Sequence, residues 1–278
     1  MDVANLLITY SVWIGRLIPR APRAVHQSRE MLASPKAAEH AADIESLLNK
    51  IRNGDDLCPH LSKRIITAYM PEAKAANKGN QQRADRDVLL AAWGLHHLHL
   101  SSEMDPDGEW VKRGEDLLIS AFGQFDAYLV GIHPHGSWAL KELMEIVVRN
   151  WPDAGLVLKS MSGLRPASPE PTDEERLKLH NAGVTVMLEI DGVVYAPIGQ
   201  TTAGTPMIVT RAVNDLMWRM RDLRQTLPAQ LVGYQSEVEQ TQNRRLSGDW
   251  KAVVIGRMAG FRCDDIFMHV ENLAPEGI

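Results

Sequence analysis

A strand–loop–strand–helix pattern in the middle of the chain restricts the fold more than any other segment does. Two apolar runs, at residues 116–122 and 127–132, are separated by a four-residue loop typical of a β-hairpin. Apolar side chains between residues 140 and 151 then recur at helical spacing, with Ser137 as the expected N-cap. Because a short loop joins antiparallel strands, this order predicts an α+β fold. We expect an antiparallel meander with flanking helices, not a parallel βαβ array.

A proline-rich stretch at residues 165–171 predicts a division of the chain. The first region, 1–164, would hold helices and the antiparallel sheet, and the second region, 172–278, would be α+β with a hairpin and a helix. The two regions are expected either as subdomains or as parts of one core. In the second region, Thr172 with Glu175 predicts a capping box, and Asp191-Gly192 predicts a hairpin turn. A helix should begin near Pro206 and a strand should cover residues 250–255.

The N-terminal third is predicted from shorter signals. Residues 3–14 are apolar but too few to span a bilayer, and they lack a basic preceding segment, so a buried strand or short helix is expected. A helix is predicted within residues 28–53, with a start at Ser34-Pro35 and an end at Asn53-Gly54. Residues 71–86 are polar and predict an exposed loop.

Composition limits the class of partner. The 278-residue chain has a formal charge of −5, so contact with a nucleic acid would have to use a local basic patch. Its two cysteines, Cys58 and Cys263, stand far apart, which argues against a disulfide scaffold or a zinc ribbon. A reducing, cytoplasmic setting without membrane insertion is expected.

Half of the ten histidines fall in two short segments, residues 96–99 and 133–135. If residues 95–100 form a strand, His97 and His99 share one face and His96 points to the other. A neighbouring antiparallel strand could bring His133 and His135 to the same place. Since imidazole titrates near neutral pH and also binds metals, this clustering favours a site of chemistry over simple packing.

Three interpretations of the histidines remain open. In the first, His97 and His99 are the acid and base of a metal-free phosphodiesterase, His133 and His135 are their partners, and Arg113 or Lys112 binds the phosphate. In the second, zinc or another divalent transition metal is bound by histidines and an acidic side chain: His97, His99, His133 and Asp105, with Asp107 as an alternative. In the third, the histidines are structural. The first is favoured because the His-Glu-x-x-His metal motif is absent.

Two further segments are candidates for binding substrate phosphate. One is an arginine-rich strap with two prolines, comprising Arg16, Arg20 and Arg23. The other is a Gly/Thr-rich turn before the helix near Pro206, comprising Thr201, Thr202, Gly204 and Thr205. The turn does not match the P-loop pattern, and a capped strand-to-helix turn is the simpler interpretation.

Two resemblances bear on function. Residues 14–23, 94–100, 149–152 and 201–205 together are similar to a group of uncharacterised bacterial proteins, which implies a bacterial, cytosolic origin. The order of helix and meander over residues 30–150, with His, Lys and Arg on the strands, resembles RelE-like ribonuclease toxins.

The sequence therefore predicts a metal-independent endoribonuclease or related phosphodiesterase, as a toxin or a phage-defence effector. Its substrate would be RNA or another phosphate-containing molecule, with no cofactor favoured. The alternatives are a metal-dependent hydrolase that uses the same histidines and a non-enzymatic regulatory or partner-binding protein.

Overall fold

A computed structural model of the chain describes residues 3–66, 87–159, 165–255 and 258–272. The chain divides into two compact units, 1–213 and 214–278. The loop predicted at residues 71–86 lies outside the described residues. Residues 172–213 belong to the first unit, because Leu188 and Ile190 pack into the same core cluster as residues of the central sheet. The proline-rich stretch is thus internal to that unit.

The first unit alternates short helices and strands. Its elements in chain order are α1 (Val3–Ile14), β1 (Ala24–Gln27), α2 (Arg29–Leu32), α3 (Pro35–Glu39), α4 (Ala41–Asn53), α5 (Val88–Trp93), β2 (His96–His99), β3 (Asp116–Phe122), β4 (Asp126–Pro134), α6 (Lys141–Asn150), β5 (Leu158–Lys159), α7 (Asp173–Asn181), β6 (Leu188–Ile190) and β7 (Val193–Ala196). Short 3-10 turns lie at Cys58–His60 and Lys63–Ile66. The long helix α8 (Met207–Gln242) begins in this unit.

The central sheet has the strand order β1-β4-β3-β2. Strands β2, β3 and β4 form the antiparallel meander that the hairpin pattern predicts, and the α+β fold class is confirmed. Strand β1 adds a parallel edge, with Ala24 opposite Asp126. A smaller antiparallel sheet, β5-β7-β6, contains the predicted Asp191-Gly192 hairpin.

The two faces of the central sheet carry separate core clusters. Leu98 and Leu118 face a cluster that includes Leu47 and Ile51 of α4. Leu117 and Ile119 belong to the other cluster, which includes Leu143, Met144 and Val147 of α6. This division follows from the alternation of side chains along a strand, and it determines which histidines can meet.

At several positions the structure has the local feature that the sequence predicts. Gly54 follows α4 in the left-handed conformation, with φ of 77°, as a C-terminal glycine commonly does. Thr172 and Glu175 form the reciprocal capping box of α7. Asp191 and Gly192 both have positive φ, which matches the twist of a tight hairpin.

Other expectations were wrong in detail. Residues 28–53 form three helices instead of one: the start at Ser34-Pro35 and the end at Asn53-Gly54 are as predicted, but Ser28 and His40 are the N-caps of two further helices. The N-cap of α6 is Leu140, while the Ser137 hydroxyl donates to the Pro134 carbonyl at 2.8 Å. Residues 3–14 form a helix, one of the two predicted forms, but only Val12 is buried among the described side chains.

The second unit contains the remainder of α8 and a three-stranded antiparallel sheet. Its strands are β8 (Lys251–Ile255), β9 (Met258–Cys263) and β10 (Ile266–Asn272), in the order β10-β9-β8. Strand β8 confirms the strand predicted at residues 250–255. A small core of Val238, Leu246 and Cys263 supports the sheet. Among the described helices, none combines the length and apolar character needed to cross a bilayer.

Candidate functional site

Strand β2 places its histidines on both faces of the sheet. His97 pairs with Ile119 and His99 pairs with Leu117, so both lie on the face that α6 covers. His96 is buried on the opposite face, edge-on to Phe122 with the ring centroids 5.6 Å apart. The alternation predicted for the three histidines is therefore present in the structure.

Three imidazoles meet on the α6 face. The ring centroids of His99 and His135 are 5.3 Å apart, and those of His97 and His99 are 6.3 Å apart. The indole of Trp138 lies 4.9 Å from the His97 ring and 5.7 Å from the His135 ring. His135 follows β4, where its backbone N–H donates to the Glu115 carbonyl at 3.0 Å. We call these four side chains, His97, His99, His135 and Trp138, the histidine cluster.

The structure does not bring His133 into the histidine cluster. His133 is opposite Leu117, which is in turn opposite His99, so two strand spacings of about 4.8 Å separate the two histidines. Its Nε2 instead lies over Gly131, where a Cβ would approach to 2.9 Å. Burial lowers the pKa of His133, and the nearby Glu142 carboxylate partly opposes that effect.

Two ring nitrogens of the cluster are buried without a hydrogen-bond partner among the described residues. They are Nδ1 of His97 and Nδ1 of His99. The Asp87 Oδ2 atom lies 3.8 Å from His97 Nδ1, too far for a direct hydrogen bond. Asp87 also accepts the backbone N–H of Leu90 at 3.1 Å and thereby caps α5. The helix cap holds this carboxylate beside the imidazole.

The cluster disfavours positive charge at His99. Its side chain is buried, and this burial, together with the charge of Arg113 and the neighbouring histidines, lowers the pKa of His99 to about 3. Arg113 is fixed nearby, because it donates to the Leu61 carbonyl at 2.8 Å and lies over the Trp110 ring at 5.3 Å. His99 is therefore neutral at neutral pH, beside a permanent cation.

Lys112 and Asp105 have other partners. Lys112 pairs with Glu103 on the exposed loop. Asp105 pairs with Lys63 at 2.7 Å, which lowers its pKa. Within the described ranges, no three His, Cys, Asp or Glu side chains converge as metal ligands would. Of the two cations predicted to bind phosphate, Arg113 is the one whose charge acts on the cluster.

The arginine strap holds the N-terminal segment in place. The buried Arg23 guanidinium donates to the carbonyls of Pro19, Ala21 and Gly123 at 2.9 to 3.0 Å. Arg20 pairs with Asp56, and Arg16 is buried. The contacts of Arg23 connect this segment to the β3–β4 loop, which lies at the opposite end of β4 from His135.

The Gly/Thr-rich turn is closed by its own hydrogen bonds. The Thr205 hydroxyl is 2.7 Å from both the Thr201 and Thr210 hydroxyls. Gly204 donates to the Thr201 carbonyl at 2.7 Å and has a φ of 78°. Thr202 packs against Gly183, where a Cβ would come within 2.5 Å of the Thr202 carbonyl oxygen. These contacts are those of a capped turn before α8.

Three residues at the site had no predicted role there. They are Trp138, Asp87 and His60, none of which the sequence predictions include. The His60 Nδ1–H donates to the His99 carbonyl at 2.9 Å and holds the end of β2. Asp87 precedes the apolar run of α5, and aspartate is a residue type favoured at N-caps. This N-cap signal could have placed a carboxylate near β2.

Comparisons with family models, with curated proteins and with solved structures give no match for this chain.

Proposed function

We propose that the protein is a metal-independent endoribonuclease or related phosphodiesterase that acts at the histidine cluster. The observation that carries this proposal is the meeting of three imidazoles, with adjacent ring centroids 5.3 and 6.3 Å apart, beside the fixed cation Arg113. Cleavage of RNA by its own 2′-hydroxyl requires a base, an acid and stabilisation of negative charge on the phosphate. The cluster contains side chains suited to each role.

The geometry supports a division of roles. His97, with the Asp87 carboxylate 3.8 Å from its Nδ1, is the candidate base, since a carboxylate stabilises the imidazolium that forms. His135 is exposed at the end of β4 and is the candidate acid. In the reaction, His97 takes the 2′-hydroxyl proton as that oxygen attacks phosphorus, and His135 protonates the departing 5′-oxygen. The products would be a 2′,3′-cyclic phosphate and a 5′-hydroxyl.

His99 and Arg113 are the candidate phosphate ligands. In the free protein, burial and the neighbouring positive charge hold the pKa of His99 near 3. A phosphate anion in the cluster has the opposite electrostatic effect, because negative charge favours the imidazolium form. An anion is thus the ligand that the charge distribution around His99 would accept most readily.

We place this activity in the bacterial cytoplasm as that of a toxin or a phage-defence effector. RNA is the abundant phosphodiester there, and the free cysteines Cys58 and Cys263 are compatible with a reducing compartment. Induced expression in bacteria is expected to arrest growth. The His97→Ala variant, expressed to the same level, should not do so.

The direct test is cleavage of end-labelled single-stranded RNA by purified protein in the presence of a strong chelator. We expect cleavage that leaves a 2′,3′-cyclic phosphate, and a loss of roughly 100-fold or more in His97→Ala and in His135→Ala. The matched control is His26→Ala, which removes a half-buried histidine on β1 that contacts Asp126 and Tyr128. That variant should retain the wild-type rate.

The outcomes separate the three interpretations. Activity that needs zinc or manganese, together with bound metal that is lost in the double variant His97→Ala/His99→Ala, would replace this proposal with a metal-dependent hydrolase. Absence of cleavage by a folded wild-type protein, for RNA and for simple phosphodiesters alike, would favour the non-enzymatic alternative. Equal cleavage by all variants would identify a contaminating ribonuclease.

A further inference from the structure

A three-residue turn, residues 59–61, contacts both candidate phosphate ligands. The ring of His60 donates from Nδ1 to the His99 carbonyl at 2.9 Å. The next residue, Leu61, accepts the Arg113 guanidinium on its carbonyl at 2.8 Å. The imidazole of His99, through its backbone, and the guanidinium of Arg113, directly, are thus attached to neighbouring residues of one turn.

The turn itself is held in the core of the first unit. His60 and Leu61 are 2% and 3% exposed, and Leu61 belongs to the core cluster that includes Ile51 of α4. The Pro59 carbonyl accepts the backbone N–H of Val111 at 3.1 Å, on the segment that carries the arginine. Because protein interiors are closely packed, a buried turn with these contacts has little freedom to move. Its position therefore determines how far apart the two phosphate ligands lie.

Lys50 of α4 determines which ring nitrogen of His60 carries the proton. The ammonium of Lys50 lies 2.9 Å from Nε2, and an ammonium can only donate, so Nε2 must accept. The His99 carbonyl can only accept, so Nδ1 must carry the proton. Burial is the main cause that lowers the pKa of His60, which keeps the ring neutral and Nε2 available as an acceptor at neutral pH. The two contacts therefore select one tautomer.

We propose that His60 is a positioning residue for the two phosphate ligands and that Lys50 acts through it by selecting its tautomer. This inference rests on the proposed function, in which His99 and Arg113 bind the phosphate. His60 is too buried to contact a substrate itself, so its effect passes through the backbone of His99. An anion that contacts the imidazole and the guanidinium together requires a fixed distance between them. Displacement of one group by about 1 Å would weaken the joint contact.

Binding of inorganic phosphate tests the positioning role without any need for catalysis. With isotope-labelled histidine, the ring resonances of His99 in nuclear magnetic resonance should shift as phosphate binds to the wild-type protein. His60→Leu removes the donor and should weaken this binding about 10-fold. His60→Asn keeps a side-chain N–H that can donate to the His99 carbonyl, so it should restore most of the affinity. Loss of the imidazole volume alone would affect both variants alike.

Lys50→Met provides a second variant, at a half-buried side chain where folding is less at risk. The nitrogen chemical shifts of the His60 ring should place the proton on Nδ1 in the wild type. In the variant the Nε2–H form should become detectable and phosphate binding should weaken, because the ammonium that opposes a proton on Nε2 is gone. The matched control is Arg52→Met on the same helix, where the guanidinium contacts Glu45 and Asn49 at 3.2 Å. That variant should bind phosphate like the wild type.

The outcomes also separate this inference from the proposed function. Equal phosphate affinity in the wild type, His60→Leu and Lys50→Met would overturn the positioning role, as would phosphate that leaves the His99 resonances of the wild type unshifted. A proton on Nε2 of His60 in the wild type would overturn the role of Lys50. Phosphate binding that depends on His60, in a protein that leaves RNA and simple phosphodiesters uncleaved, would support the positioning role and reject the ribonuclease.

Discussion

Acidification from pH 8 to pH 5 is expected to lower the free energy of unfolding of the first unit by about 6 kcal/mol. Three buried histidines account for this figure, and His60 and His133, whose pKa values burial also lowers, add to the loss. Burial is the main cause in each case, and it lowers the pKa of His96 to about 4, that of His99 to about 3 and that of His180 to about 4. Since domains are stable by only ~5–15 kcal/mol, the loss would bring this unit close to unfolding.

The direction follows from which state binds protons. In the unfolded chain a histidine takes up a proton below a pKa of about 6.5, whereas each of the three buried rings stays neutral until its lower folded pKa is reached. The unfolded state thus binds more protons between these limits, and stability falls as the pH falls. At pH 5, 1.5 units below the unfolded pKa, each ring contributes a loss of about 2 kcal/mol.

The measurement is urea unfolding at several values of pH. Hydrogen exchange of the β3 amides is the readout, so that only the first unit is observed. Replacement of His180 by Phe should reduce this loss by about 2 kcal/mol, because one of the titrating groups is removed. His180 is edge-on to Trp93 at 5.3 Å, so stability of the variant at pH 8 separates the effect of packing from that of titration. An unchanged slope in His180→Phe would contradict the assignment.

The central meander could be predicted because its signals are local. Each strand, the loop between β3 and β4, and the apolar face of α6 are encoded within a few residues of one another. The alternation of β2 also predicts that His97 and His99 share a face, which the ring contacts show. Patterns of this kind depend on strand and helix geometry alone, so no distant contact is needed to interpret them.

The composition of the cluster depends on contacts between distant residues. Nothing within β4 indicates that Leu117 separates His133 from His99, because that separation is a property of the register between strands. No sequence signal places Trp138 beside His97, because the distance between these two side chains depends on the turn after β4. Likewise, the parallel pairing of β1 with β4 joins residues about a hundred positions apart. The segment before β1, the strap of prolines and arginines, contains no signal for that pairing.

The buried Arg176 should be the most sensitive single position outside the apolar core. Its side chain is 1% exposed, donates to the carbonyls of Ala139 and Pro171 at 3.1 and 2.8 Å, and pairs with Asp173. These contacts fix α7 against the segment that carries Trp138, the residue immediately before Ala139. The arginine therefore connects the second-half helix to the histidine cluster, although it is not a member of the cluster.

Arg176→Met is expected to lower the free energy of unfolding by roughly 3–5 kcal/mol, because methionine fills the space but leaves the two carbonyls and Asp173 without their donor. The matched control is Arg149→Met. Arg149 makes two 2.9 Å hydrogen bonds to Asp191 on the exposed surface, where solvent screening leaves such a pair with little effect on stability. Urea unfolding of both variants at pH 8 makes the comparison.

Equal losses of stability in the two variants would show that burial of the guanidinium does not determine its contribution. A large loss in Arg176→Met alone, with faster hydrogen exchange at residues 135–139, would show that α7 holds His135 and Trp138 in the cluster.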